Sequence, residues 1–307
     1  MPLRKVLDID ILGKKVPVKN YICSVNGCEY CEKPADKKLE LALSPTSFCP
    51  GRCPFCIAEG TYQRSEYDLD RLRYILERLN EQKLVRGISF TGGEPFLNVK
   101  LLNDSVNTVF DVLGEDVEVC IHTNGINIDR VNEIDKLELV SSIHISRHHY
   151  DDSLNRSIFG IDVPNAELLK KTVADVGLER MFVYNCILLR GYIDSSSEIE
   201  NFMEFSAETG VWKSAFIQCM DVNDFTAKHK ISFEEAMNEK NDRFMFIKSY
   251  RDFDNCHCQD GLYASKTGEL LHFYTRTTAA HDCEYARGLS FNSDNHLRVG
   301  YAGEVIC

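Results

Sequence analysis

Three cysteines lie close together in one short segment, Phe48-Cys-Pro-Gly-Arg-Cys-Pro-Phe-Cys-Ile57, with the spacing C-x3-C-x2-C. Cys49, Cys53 and Cys56 therefore place three thiols on a single loop. Thiolate sulfur is a soft ligand that iron–sulfur clusters prefer, and a [4Fe–4S] cluster needs four ligands. Three protein thiolates predict a cluster with one iron left open to another ligand.

A zinc knuckle or a run of structural thiols is the alternative for these cysteines. Zinc sites usually pair two C-x2-C hairpins or add histidines, and no such partner lies close by in the sequence. The cluster is therefore the favoured interpretation.

A second motif, Thr91-Gly-Gly-Glu-Pro95, follows one predicted β-α unit later. Gly92 and Gly93 let the backbone approach a ligand closely, and the Glu94 carboxylate can balance an ammonium group. Gly-Gly and Glu-Pro also mark ordinary strand-to-helix turns, so the motif alone would leave both interpretations open.

Together, the cysteine spacing, with Phe55 before its last cysteine, and the GGEP motif resemble the radical S-adenosylmethionine (SAM) enzymes. The resemblance implies that SAM chelates the open iron and is cleaved reductively to a 5′-deoxyadenosyl radical. It also implies that Gly92, Gly93, Glu94 and Pro95 hold the SAM amino group. A reducing partner such as flavodoxin or ferredoxin would supply the electron.

Short apolar runs alternate with amphipathic stretches from residue 39 onward, which is typical of repeated β-α units and a parallel sheet. This order resembles the partial (β/α)6 TIM-like barrel of the radical SAM family, an α/β fold whose active site follows the carboxyl ends of the strands. Six strands are predicted, at Leu39–Leu43, Arg86–Phe90, Val117–His122, Ser142–Ser146, Met181–Leu188 and Ser214–Cys219.

We expect three parts along the chain. Residues 1–38 would hold an N-terminal β-hairpin, with strands Val6–Leu12 and Val16–Cys23, and a Cys-rich segment. Residues 39–231 would form the barrel. Residues 232–307 would form a C-terminal extension with a helix over Phe233–Tyr250 followed by two short hairpins, which begin at Gly261 and Gly288.

Polar residues follow the third and fourth predicted strands. Thr123 and Asn124 resemble the polar turn that faces SAM in the family, although an Asn-Gly turn without a ligand is the alternative. By position, Ser146 resembles the residue that contacts the SAM ribose or carboxylate. Arg156 is the candidate for pairing with the SAM carboxylate.

The fifth strand leads into Ile187-Leu-Leu-Arg-Gly-Tyr-Ile-Asp194, which resembles a G-x-I-x-G-x-x-E motif that contacts adenine. It departs from that motif at both ends, with Ile187 for glycine and Asp194 for glutamate. We expect Leu189 to pack on the adenine of SAM despite these departures.

His148, His149 and Tyr150 would lie at the mouth of such a barrel. A radical enzyme needs a group that donates or accepts a proton or hydrogen atom after the first abstraction, and these side chains can do so. They are the catalytic candidates, with solvated loop residues as the alternative.

Ten further cysteines remain. Cys120, Cys186 and Cys219 fall singly inside predicted strands and are expected to be buried small hydrophobes. The others resemble the ligands of an auxiliary [4Fe–4S] cluster, as in SPASM or twitch extensions; a zinc site or unligated thiols are the alternatives. These candidate ligands are Cys23, Cys28, Cys31, Cys256, Cys258, Cys283 and Cys307.

Composition limits the possible partners. The formal charge of −12 argues against a broad nucleic-acid-binding surface. No apolar run is long enough to span a membrane, so no membrane partner is expected. Abundant cysteine without a signal-peptide pattern predicts a reducing, cytoplasmic location.

These features specify a radical-forming enzyme more closely than its substrate. A ribosomally made peptide is the leading substrate, because SPASM-like tails are frequent in enzymes of that class. A nucleotide or other small molecule is the alternative, since residues 146–160 loosely resemble viperin and the molybdopterin-pathway GTP enzymes. A non-catalytic iron–sulfur or zinc protein is the alternative of another class.

Overall fold

The computed structural model describes most of the predicted barrel and parts of both flanking segments. The described residues are 6–19, 39–56, 65–178, 180–237, 244–249, 261–266, 268–275, 288–300 and 303–307.

The described strands form two sheets. The strands are β1 (Val6–Ile11), β2 (Lys14–Lys19), β3 (Leu39–Leu43), β4 (Val85–Phe90), β5 (Glu118–Thr123), β6 (Ser142–Ser146), β7 (Phe182–Leu188), β8 (Lys213–Gln218), β9 (Phe244–Ser249), β10 (Gly261–Ser265), β11 (Leu270–Thr275), β12 (Gly288–Phe291) and β13 (Leu297–Val299). One sheet is the predicted N-terminal hairpin, and the other is an eleven-stranded sheet with the order β13-β12-β3-β4-β5-β6-β7-β8-β11-β10-β9.

Helices connect the parallel strands, as in a partial TIM barrel. The α-helices are α1 (Leu69–Glu81), α2 (Val99–Leu113), α3 (Asp152–Phe159), α4 (Ala166–Val176), α5 (Ser196–Glu208), α6 (Asp224–His229) and α7 (Phe233–Ala236). Short 3-10 helices cover Pro95–Asn98, Ile128–Glu133 and Leu137–Leu139. The six predicted strands and the parallel α/β architecture are confirmed.

Local sequence signals explain where the helices begin. Asp68 caps α1 by accepting a hydrogen bond from the backbone N–H of Arg71, and Ser195 caps α5 in the same way. Apolar residues of α1 recur at helical spacing, which places Leu72 and Ile75 on one buried face.

The main core lies between the helices and one face of the large sheet. Alternate residues of the strands, such as Leu41, Ile121 and Ile143, are fully buried there together with Leu72 of α1. Because side chains alternate along a strand, the intervening residues point to the opposite face. That second face carries much of the polar character of the sheet.

The two predicted C-terminal hairpins join opposite sides of the parallel strands. Strand β11 pairs in parallel with β8, and β12 pairs in parallel with β3. Gly288 allows the second contact, because a Cβ there would lie 2.9 Å from the Glu40 carbonyl oxygen. The tail therefore extends the sheet of the barrel at both ends.

The helix expected over residues 233–250 is wrong. Helix α7 ends at Ala236, and Phe244–Ser249 forms β9, which pairs antiparallel with β10. The run Phe-Met-Phe-Ile is rich in residues that favour strands, and a neighbouring strand supplies hydrogen bonds that a helix would otherwise provide internally. Tertiary pairing thus overrides the weak helical periodicity.

No helix in the described parts of the chain combines the length and apolar character needed to cross a membrane.

The burial of Leu271 on β11 tests whether the tail is part of the sheet. Leu271 is 0% exposed and packs in the main core, whereas Met245 on β9 is 67% exposed. We expect Leu271→Ala to lower the free energy of unfolding by ~2–5 kcal/mol, because it leaves a cavity. Met245→Ala should change it by less than about 0.5 kcal/mol. Anaerobic urea titration measures both, and equal effects would contradict the described packing.

Candidate active site

The cysteine loop follows β3 and is held by contacts from distant parts of the chain. The backbone N–H of Arg52 donates to the Phe159 carbonyl oxygen at 2.8 Å. The side-chain amide of Asn223 donates to the Pro54 carbonyl oxygen at 2.9 Å. The end of α3 and the start of α6 therefore fix the loop, since Phe159 ends α3 and Asn223 caps α6.

The three thiols of this loop lie close to one another. A methyl group at Gly51 would lie 3.3 Å from Cys49 Sγ and 3.8 Å from Cys53 Sγ. Burial, and then the nearby thiols Cys56 and Cys49, raise the pKa of Cys53 to about 12. Burial also raises the pKa of Cys49. Thiols crowded in this way need a cationic partner to become thiolates, and an iron–sulfur cluster provides one.

The described residues do not form a site for a single metal ion. No three Cys, His, Asp or Glu side chains in the described ranges converge at distances that would hold one ion. In a four-iron cluster each thiolate binds a different iron, so the donor set of the cysteine loop fits a cluster.

An apolar cluster surrounds the middle of the cysteine loop. Phe55 is 7% exposed and packs with Ile158, Leu189 and Cys219, and the partly buried Cys53 borders the group. Leu189, the residue expected to pack on adenine, is thus brought against the cysteine loop. We refer to this group as the Phe55 cluster.

The GGEP turn follows β4 and packs tightly against the segment before Cys49. Gly92 has a positive φ of 102°, and a Cβ there would lie 2.5 Å from the Ser44 Cβ. A Cβ at Gly93 would lie 2.2 Å from the Phe48 carbonyl oxygen. Both positions therefore require glycine, and the close approach joins the GGEP turn to the cysteine loop.

Ser44 sits beside this turn with an unusual hydroxyl group. Its Oγ is buried and has no hydrogen-bond partner among the described residues. A buried polar atom without a partner costs about 1–3 kcal/mol, which a polar ligand group beside Gly92 would offset. An orphaned hydroxyl beside a glycine turn fits a site for a polar cofactor such as SAM.

Glu94 is buried to 1% exposure and binds the end of the next strand. Its Oε1 accepts hydrogen bonds from Thr123 Oγ1 at 2.6 Å and from the Phe96 N–H at 3.0 Å. Its Oε2 accepts one from the Asn124 N–H at 2.7 Å. Burial raises the pKa of Glu94 to about 7, although these three hydrogen bonds oppose the increase.

Asn124 connects this carboxylate to the cysteine loop. While its backbone N–H binds Glu94, its side-chain amide donates to Cys49 Sγ at 3.6 Å. Thr123 and Asn124 therefore do more than form an Asn-Gly turn. Pro95, which completes the motif, begins the 3-10 helix and is buried.

His148 is buried between two aromatic rings. Its ring lies 4.8 Å from that of Phe55 and 5.0 Å from that of Phe159, measured between centroids. His148 Nδ1 accepts a hydrogen bond from the Ile187 N–H at 3.1 Å. The residue thus belongs to the wall of the site and is not a solvated loop residue.

His149 and Tyr150 are held by other hydrogen bonds. His149 Nδ1 accepts from the Asp151 N–H at 2.9 Å, and burial lowers the pKa of His149. The Tyr150 hydroxyl accepts from the Asn201 side-chain amide at 3.2 Å, and partial burial raises the pKa of Tyr150. Both shifts favour the neutral forms.

Ser146 and Arg156, the proposed partners of the SAM ribose and carboxylate, lie on different elements. Ser146 ends β6 in register with Asn185 of β7. Arg156 lies on α3 with 55% of its side chain exposed, and its Nε binds Asp162 Oδ1 at 2.9 Å. The contacts described for Arg156 do not include the cysteine loop.

Sequence reasoning missed Arg147, which is only 1% exposed. Its guanidinium donates to the carbonyl oxygens of His149, Tyr150 and Pro164 and binds Asp152 Oδ1. Arg147 therefore fixes the loop after β6. Its position directly after an apolar strand was the available signal.

The outlying cysteines divide into two groups. Cys23, Cys28, Cys31, Cys256, Cys258 and Cys283 lie outside the described residues. Cys307 is described, is partly buried against the core, and accepts a hydrogen bond from the Leu297 N–H through its carbonyl oxygen.

Cys186 of β7 and Cys219, which directly follows β8, are buried as expected. The expectation for Cys120 is wrong. Cys120 is partly exposed, and its Sγ lies 3.3 Å from Ser142 Oγ among charged residues. It lies on the polar face of the sheet, in phase with Glu118 and His122 of the same strand, and that alternation was the available signal.

Solved structures share this fold at low sequence identity. SuiB from Streptococcus suis, solved with bound S-adenosylmethionine, aligns with a TM-score of 0.54 at 18% identity over 85% of this chain and 59% of SuiB. A radical SAM methyltransferase from Sphaerobacter thermophilus aligns with a TM-score of 0.53 at 16% identity over 74% of this chain and 65% of that chain. This chain thus spans less than two thirds of either neighbour.

A curated relative and a family model match by sequence. A probable GTP 3′,8-cyclase from Sulfurisphaera tokodaii is 27% identical over 220 residues, which are 69% of this chain and 68% of the relative. The Radical SAM superfamily model matches residues 43–205, which are more than half of the chain and include both motifs. This chain therefore belongs to the radical SAM superfamily. Membership of this family of enzymes implies a [4Fe–4S] cluster and SAM as cofactors.

Proposed function

We propose that Cys49, Cys53 and Cys56 ligate the [4Fe–4S] cluster and that SAM binds between this loop and the GGEP turn. The observation that carries the proposal is the double contact of Asn124, which binds Glu94 through its backbone and Cys49 through its side chain. The two motifs therefore serve one site.

The residues around the loop have complementary tasks in binding SAM. The Glu94 carboxylate accepts a hydrogen bond from the ammonium group of SAM, and a polar group of SAM becomes a hydrogen-bond partner of the Ser44 hydroxyl. Leu189, in the Phe55 cluster, offers an apolar surface for adenine, while Ser146 and Arg156 remain proposed partners of the ribose and carboxylate. A cluster held by Cys49, Cys53 and Cys56 would supply the electron for reductive cleavage of SAM, and that cleavage would provide the means to abstract a hydrogen atom from the substrate.

His148, His149 and Tyr150 are the proposed proton-transfer groups. Since His148 Nδ1 accepts a backbone hydrogen bond, the neutral ring carries its proton on Nε2. His149 is likewise bound through Nδ1. Both histidines can therefore move a proton only at Nε2 while these contacts persist.

A ribosomally made peptide is the proposed substrate. The support is the C-terminal extension, whose two hairpins and cysteines resemble the auxiliary-cluster extensions that are frequent in peptide-modifying members of the family. In this proposal Cys256, Cys258, Cys283 and Cys307 are the first candidates for an auxiliary [4Fe–4S] cluster. Flavodoxin or ferredoxin would act as the reductant in the cytoplasm.

A nucleotide is the second candidate substrate. It is supported by the 27% identity to a probable GTP 3′,8-cyclase. A triphosphate needs cationic side chains, and Arg298 in the tail binds Asp294. Arg276 and Arg287 lie outside the described residues.

Reductive cleavage of SAM tests the proposed function. Anaerobically reconstituted protein should form 5′-deoxyadenosine with dithionite and SAM. Cys49→Ala, Cys53→Ala and Cys56→Ala should each abolish product, whereas Cys186→Ala, a buried thiol on the core face, should retain it. Iron-loaded wild-type protein that forms no 5′-deoxyadenosine would refute the proposal.

Iron and sulfide analysis tests the auxiliary cluster. Two [4Fe–4S] clusters give about eight irons per chain, and the triple variant of Cys49, Cys53 and Cys56 should retain about four. About four irons in the wild type and none in the triple variant would remove the auxiliary cluster from the proposal.

The buried carboxyl of Glu94 predicts a pH dependence of stability in the SAM-free protein. Because its pKa is raised from 4.5 to about 7, its protonated form favours folding, and this contribution is lost as pH rises between those values. The wild type should lose up to ~3 kcal/mol of unfolding free energy across this window relative to Glu94→Gln. Urea titrations at several pH values measure the difference, and parallel pH profiles would show that Glu94 is not buried as described.

A further inference from the structure

The central strands carry polar residues on the face turned away from the main core. Cys120 pairs in register with Ser142, and His122 with His144. Asn185 lies on the next strand, β7. The residues that alternate with these, such as Ile121, Ile143 and Tyr184, are buried in the core.

Four of these side chains form one hydrogen-bonded row. Ser142 Oγ lies 3.3 Å from Cys120 Sγ and 2.9 Å from His144 Nε2. His144 Nδ1 lies 3.3 Å from Asn185 Oδ1. With Asn185 Oδ1 as acceptor, His144 donates from Nδ1 and accepts at Nε2. We call Cys120, Ser142, His144 and Asn185 the polar row.

The polar row is uncharged near neutral pH. Burial, together with Lys213 and His272, lowers the pKa of His144 to about 4, against the opposing effect of Asn185. Burial also raises the pKa of Cys120, so the thiol keeps its proton.

The charged groups around the row differ between its two ends. At Cys120, Glu118 and Glu40 raise the pKa of the thiol, whereas Lys213 lowers it. At His144, Lys213 and His272 both lower the pKa of the ring. The surroundings of the Cys120 end are therefore mixed in sign, and the cationic groups near His144 lie outside the row itself.

The same strands lead from the row to the cysteine loop. Directly after β5, Asn124 binds Cys49. After β6, His148 contacts Phe55, and Ile187 of β7 borders the Phe55 cluster. Ile187 and Asn185 are alternate residues of one strand, about 7 Å apart. The row and the Phe55 cluster therefore lie close together along β7.

We propose that the polar row binds an uncharged, amide-bearing part of the substrate, as found in a peptide. This inference rests on the proposed function and assigns residues that bind its substrate. Neutral donors and acceptors side by side match the N–H and C=O of an amide. A phosphate would instead require a cationic fork, which the row does not contain.

Protection of the Cys120 thiol tests the inference. Reconstituted, SAM-loaded protein is treated anaerobically with N-ethylmaleimide, and modification of each cysteine is followed by mass spectrometry. The probes are a pool of N-acetylated, C-amidated dipeptides and, separately, GTP. At ten times its Kd, the peptide pool should slow modification of Cys120 about tenfold, while GTP should not. Cys186, buried on the other face, should stay unmodified throughout and reports intact folding.

Asn185→Leu should remove the protection of Cys120 by the peptide pool, because it deletes an amide partner. If Asn185→Leu does not fold, Ser142→Ala is tested in its place. This smaller change should weaken the protection of Cys120 by the peptide pool. Asn132→Leu, at an exposed asparagine on the 3-10 helix after β5, is the matched control and should keep the protection.

Two outcomes would overturn the inference. Protection by GTP alone would assign the row to an anionic nucleotide, and no protection by either probe would remove it as a binding surface. Substrate-free formation of 5′-deoxyadenosine by the wild type and Asn185→Leu is measured in parallel. If the wild type forms no 5′-deoxyadenosine, the proposed function is refuted. If the wild type forms 5′-deoxyadenosine but neither probe protects Cys120, only this inference is refuted.

Discussion

The hydrogen bonds of the Glu94 carboxylate hold the candidate site together. They join the turn after β4 to Thr123 and Asn124 at the end of β5. Asn124 is thereby oriented so that its side chain reaches Cys49. Burying this carboxyl raises its pKa to about 7, which is an energetic cost that the three hydrogen bonds reduce. An ammonium group from a ligand would reduce it further.

The two faces of the large sheet differ in character. One face buries alternating aliphatic residues against the helices and supplies the core. The other carries the polar row and, beyond the strand ends, the cysteine loop. The C-terminal hairpins extend this sheet on both sides through β11 and β12, so the tail shares the architecture that positions the site.

Local patterns in the sequence predicted much of this structure. Apolar runs between turn residues located the barrel strands, and the spacing of Cys49, Cys53 and Cys56 identified the loop. Local patterns could not predict contacts that depend on how neighbouring elements align. The contacts of Asn124 with Cys49 and of Cys120 with Ser142 are examples. Tertiary packing leaves the Ser44 hydroxyl without a hydrogen-bond partner among the described residues, and Phe244–Ser249 forms a strand because it pairs with β10.

The electron paramagnetic resonance spectrum of the reduced protein tests the central claim most directly. If the cysteine loop and the GGEP turn form one site, SAM binds the open iron of the cluster next to Glu94. Adding SAM to the reduced wild-type protein should then change the spectrum of its [4Fe–4S] cluster, and Glu94→Gln should require more SAM for the same change. A fully loaded cluster whose spectrum is insensitive to SAM would contradict the account.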